Sequence, residues 1–106
     1  RPSNTFPTSI AKTQYSLLYT VVDLGGAVID VTVEHSVYGQ ITAPLHIFSR
    51  YDTDAFCRKL AHSNARPLCD LTGGIHLHTL RTPNRETLER VLTGLREKGF
   101  LLDENK

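Results

Sequence analysis

The chain has no methionine, no tryptophan and only two cysteines in 106 residues. With no Met at its start, it is expected to be a fragment, or a form whose beginning has been removed. Cys57 and Cys69 fit neither a metal-ligand pair nor a redox motif, and two are too few for a disulfide-built scaffold. Buried free thiols in a cytoplasmic protein are the expectation. No apolar run approaches the roughly 20 residues that a membrane helix needs. Residues 1–9 hold no apolar stretch of the signal-peptide kind. A dominant charge sign is missing too. The formal net charge of +1 leaves no basic stripe for nucleic acid and no footprint for an acidic or membrane-surface partner. Nucleophile elbow, phosphate loop, zinc-protease helix and dinucleotide fingerprint are all absent from the sequence. Hydrolysis needs a nucleophile with a base beside it, so an enzyme is not expected.

What remains is ordinary for a globular protein: 40% hydrophobic and 22% charged residues, enough for one modest core. Residues 1–9, with two prolines and no period, read as a linker arm. Residues 10–106 read as one domain. Leu17, Leu18, Val21 and Val22 fall at helical spacing, and Gly25-Gly26 stops that helix. Residues 27–35 alternate as a half-buried strand, with Ile29, Val31, Val33 and His35 facing one way. Ser36 to Gly39 makes a turn into a second strand, Ile41 to Ser49, which Pro44 bends or places at an edge. Asp52 is the expected N-cap of a helix over 53–62. A polar loop over 63–73 leads to a third strand at Ile75–Leu80. Leu88, Val91, Leu92 and Leu95 mark the clearest helix, closed by Gly99. Phe100 to Leu102 is a short last strand, with room for an extra strand around residues 9–12. The fold class is α+β, a mostly antiparallel sheet with helices packed on one face.

The strongest chemical signal is Gly73-Gly74-Ile75-His76-Leu77-His78-Thr79. Residues i and i+2 of a strand point the same way. His76 and His78 therefore share a face, with Ile75 and Leu77 on the other. Their imidazoles stand about 6–7 Å apart along the strand and can converge on one cation. Neutral imidazole nitrogen suits zinc, nickel, iron or copper. Two histidines on a solvated face is the bland alternative. His35 ends an apolar stripe, and His46 lies on the second strand. Both are candidates for a further ligand or for a wall of the site. His62, near a helix end, complements the helix dipole. Arg50 is a candidate carboxylate partner, and Arg66 and Arg81 also stand near strand ends or loops. Glu34 points away from His35, which leaves no catalytic pair there.

Val33-Glu34-His35-Ser36-Val37-Tyr38-Gly39-Gln40-Ile41 resembles the Val-Glu-His-Pro-Val-Tyr-Gly-Glu-Ile segment of the 3H domain family. Leu71 to Leu80 resembles that family's Gly-Gly-Ile-His-Leu-His-Thr signature, and Leu18 to Gly26 its helix and stop. Glu86 to Arg90 and Lys98 to Leu101 are similar to its final helix and strand. The resemblance covers roughly residues 10–103. It implies the regulatory half of a cytoplasmic bacterial repressor that senses nicotinic acid and controls NAD precursor uptake and biosynthesis. It implies a homodimer, with DNA bound through an N-terminal winged-helix domain that is not in these residues. It also implies a divalent metal, nickel or zinc, held by His76 and His78, with His35 near the site. Tyr38, Gly74 and Arg50 are the expected effector-binding residues. In two places the chain departs from the family. Leu17 occupies the position of a glutamate ligand, and the segment Thr13 to Ser16 lacks a further histidine ligand. The alternative expectation is a degenerate 3H domain that serves dimerisation or protein interaction without a ligand.

Overall fold

The computed structural model describes residues 3–9, 14–61 and 75–100. In chain order the elements are β1 (Ser3–Ser9), α1 (Gln14–Asp23), β2 (Ala27–His35), β3 (Gly39–Ile47), α2 (Arg50–Ala61), β4 (Ile75–Arg81) and α3 (Arg85–Glu97). The four strands form one antiparallel sheet in the order β1-β4-β2-β3. This is the expected α+β arrangement.

Both glycine stops work through the same hydrogen-bond pattern. At the end of α1, Gly25 takes φ +104, its N–H donates to the Val22 carbonyl, and the Gly26 N–H donates back to Val21 at 2.9 Å. At the end of α3, Gly99 takes φ +79, its N–H donates to Arg96, and the Phe100 N–H donates to Leu95 at 2.9 Å. Each pair satisfies carbonyls that the helix end leaves open, and a left-handed residue is needed to turn the chain back. Phe100 and Leu95 then meet in the core, the apolar contact that accompanies this cap. At the other end of α3, the Asn84 side chain accepts from the Thr87 N–H at 2.7 Å.

Four expectations are corrected. Residues 3–9 are not part of a linker arm but form strand β1, paired along its length with β4. Pro7 is accommodated because β1 is an edge strand, as is β3 with Pro44. The extra strand expected around residues 9–12 falls, apart from Ser9 at the end of β1, outside the described residues. α2 starts at Arg50, so Asp52 is not its N-cap. Ser49 Oγ accepts from the Asp52 N–H at 3.1 Å, and the Asp52 carboxylate reaches back to the Phe48 N–H at 2.9 Å. The second strand runs from Gly39 to Ile47, earlier than its hydrophobic pattern suggested. Finally, β2 does not alternate cleanly. Its register slips between Val28 and Asp30 against both neighbours. Val28 pairs with Leu80 and Val31 with His78, so Val28, Val31 and Val33 all reach the buried face. The expected last strand at residues 100–102 and the loop at 63–73 lie largely or wholly outside the described residues.

The core occupies one end of the covered sheet face. Leu17, Leu18 and Val21 of α1 and Val91 and Leu95 of α3 pack onto Val28, Ile47 and Leu80, with Phe100 closing the end. Phe56 of α2 and Leu45 of β3 pack against this cluster. No helix among the described residues is long and apolar enough to cross a membrane.

Candidate functional site

β4 carries His76, His78 and Leu80 on one face, the face that Leu80 presents to the core. Both histidines are 1% exposed. The solvated-face alternative is therefore excluded. Along β2, Val33 stands opposite His76 and Val31 opposite His78. On the other side, Thr8 and Phe6 hold the corresponding register positions of β1. Leu77 lies on the opposite, half-buried face. The inner face is thus aliphatic at its Leu80 end and imidazole-bearing at its His76 end.

Burial sets the protonation of the pair. Desolvation penalises the charged ring, and a neighbouring His76 charge adds repulsion, so the His78 pKa is lowered to about 4. Near neutral pH, His78 is an uncharged imidazole, the form that a metal binds. Among the described residues, no group of three or more His, Cys, Asp or Glu converges to hold a metal. The donor chemistry of His76 and His78 fits nickel or zinc, but the pair accounts for only part of a coordination shell.

The other sequence candidates are distributed as follows. His35 ends β2, two residues beyond Val33, and its Nδ1 accepts from the N–H groups of Val37 and Tyr38 at 3.1 and 3.3 Å. Tyr38 sits on the exposed turn, its ring 5.0 Å from the His35 ring. His46 does not join the pair. It is exposed on β3, at the irregularity opposite Ile29, with φ +54 and its ring stacked on Phe48. The register slip carries it into the left-handed region, which histidine enters more readily than most residues. Arg50 follows Ile47, whose neighbours across the sheet are Val28 and then Leu80, so it stands at the aliphatic end. Its guanidinium donates to Asp23 at 2.6 Å and lies 4.4 Å from the Tyr19 ring centre. Tyr19 in turn donates to Asp54, which raises the phenol pKa and ties α1 to α2. Gly74 and His62 lie outside the described residues. So does Cys69, while Cys57 is a half-buried free thiol. Leu17, at the family's glutamate position, is a core residue.

Sequence reasoning missed the depth of the histidine pair, because the Ile-His-Leu-His alternation is symmetric about which set faces inward. Leu80 held the missing signal: it continues the histidine register and is the residue most suited to the core.

The 3H domain model matches residues 11–104. The chain is 41% identical over 87 residues to a probable transcription repressor NiaR of Thermotoga maritima, covering 82% of this chain and 50% of that protein. It is 39% identical over 85 residues to the transcription repressor NadR of Bacillus subtilis, covering 80% of this chain and 47% of that protein. The chain therefore spans about half the length of these relatives.

Proposed function

The chain belongs to the 3H domain family, and from that premise we propose that it is the regulatory domain of a transcription repressor of NAD precursor uptake and biosynthesis, one that senses nicotinic acid through a metal-dependent site. It is a regulator, not an enzyme, in keeping with the transcription repressors it resembles. The observation that carries the reading is the burial of His76 and His78 at 1% exposure on one strand face, with His78 held neutral. A buried imidazole held neutral is the form that a metal ion binds. A nickel or zinc ion bound there would supply an electrophilic anchor for a carboxylate. His76 and His78 would hold it, while Val31 and Val33 beside them exclude water. Regulation follows by linkage: whatever binds the DNA-competent dimer more tightly shifts the population toward it. DNA contact and its winged-helix domain belong to the remainder of a longer protein.

Calorimetric titration of nicotinic acid into the metal-stripped and the nickel- or zinc-loaded chain tests this. Binding only after metal loading supports the sensor. Absence of binding in both favours a domain that dimerises without a ligand. Two observations speak for that second reading: no third ligand among the described residues, and Leu17 in the core where the family has glutamate.

A further inference from the structure

His35 ends β2 on the face of Val33, which stands opposite His76. Its ring nitrogens are not equivalent. Nδ1 accepts two backbone hydrogen bonds, from Val37 N–H at 3.1 Å and Tyr38 N–H at 3.3 Å. These hold the tight turn between β2 and β3, where Gly39 takes φ +80. An imidazole nitrogen that accepts hydrogen bonds keeps its lone pair, so the proton of the neutral ring lies on Nε2. That nitrogen is a donor and has no lone pair for a metal. Reversing the tautomer would aim an Nδ1–H at two N–H donors and lose both turn hydrogen bonds. The Tyr38 ring, centred 5.0 Å away and tilted by 40°, packs against the imidazole and restrains its rotation.

We infer that His35 is an anion-recognition residue and not a metal ligand: its fixed Nε2–H donates to the carboxylate of a planar effector held at His76 and His78. The inference rests on the sensor reading and names the group that recognises the effector's charge. The hairpin turn sets the tautomer, so effector recognition and the Ser36–Tyr38 turn are one device. His46 and Arg50 do not offer this contact, the first being exposed beside Phe48 and the second paired with Asp23 at the aliphatic end.

Two variants and one spectrum test it. His35→Asn keeps an acceptor near the Nδ1 position and removes the Nε2–H. His35→Gln carries an amide N–H toward the Nε2 position but lacks the turn acceptor. In calorimetry with nickel-loaded protein and nicotinate as the probe, H35N should take up nickel within about twofold of wild type. It should bind nicotinate at least about tenfold more weakly, the loss of one hydrogen bond to a charged group. H35Q should recover part of that loss. Nitrogen-15 spectra of the wild-type imidazoles should place the His35 proton on Nε2 both before and after zinc loading, which decides the tautomer even if a variant fails to fold. Nicotinate affinity unchanged in H35N, nickel lost from H35N, or a His35 proton that moves to Nδ1 on zinc loading overturns the inference alone. A wild-type chain that binds no nicotinate with metal present overturns the sensor reading, and this inference with it.

Discussion

Val33 and His76 stand directly opposite each other across β2 and β4, and each is 1% exposed. A core aliphatic side chain and a candidate ligand thus share one packing layer. The imidazoles lie in the domain's interior, so a change in their protonation acts on stability.

That coupling has a pH signature. In the unfolded chain His78 titrates near its ordinary value of about 6.5, and in the fold at about 4. Between these values the unfolded chain binds the extra proton, so stability rises with pH across the window. The metal-free chain should be fully stable above about pH 6.5 and lose on the order of 3 kcal/mol as pH falls to about 4. Urea unfolding at pH 7, 5.5 and 4 measures this. His78→Leu should flatten the dependence, and an unchanged slope in that variant would assign the loss to another group.

Leu95 joins the α3 cap to the core, its carbonyl accepting from Phe100 N–H and its side chain 0% exposed. Leu95→Ala should destabilise by about 2–5 kcal/mol through lost burial and the cavity left behind. A loss under about 1 kcal/mol in chemical denaturation would show that Phe100 and Val91 collapse into the space.

Gly26 is fixed by space, not by backbone angle. A Cβ there would lie 3.0 Å from Val21 Cγ1 and 3.3 Å from Val91 Cγ2, two β-branched side chains at 0% exposure. Gly26→Ala should cost about 1–3 kcal/mol, the range for overpacking a tight core. Thermal unfolding reads the effect, and a stabilised variant would refute the packing argument.

Arg50 is committed to Asp23 and Tyr19 on the surface. Arg50→Ala should leave nicotinate affinity of the metal-loaded chain within about twofold, with a small drop in Tm, since exposed ion pairs contribute little. A tenfold loss of nicotinate affinity would return Arg50 to the effector site.

The helices and their stops were legible in the sequence because they depend on local chemistry. The period of Leu88, Val91, Leu92 and Leu95 and the glycines at 25, 26 and 99 are read within a few residues. β1 was not legible. Its two-residue period is weak, and its place depends on β4, some 70 residues away in sequence, offering an open edge that tolerates Pro7. The Asp52 cap was misread by one turn because Ser49 and Asp52 are both good cap residues, and only the chain's exit from β3 selects Ser49.

By itself, then, the sequence determined the element types from α1 onward, the family and the pairing of His76 with His78 on one face, since strand parity is a local property. Tertiary structure decided which face that was. Parity cannot tell inside from outside. The choice is made when Leu80, in register with the histidines, packs under α1 and α3 and draws the whole even-numbered face of β4 inward. Tertiary structure likewise separated the other histidines: the slip in β2 left His46 outside, and the hairpin turn occupied Nδ1 of His35.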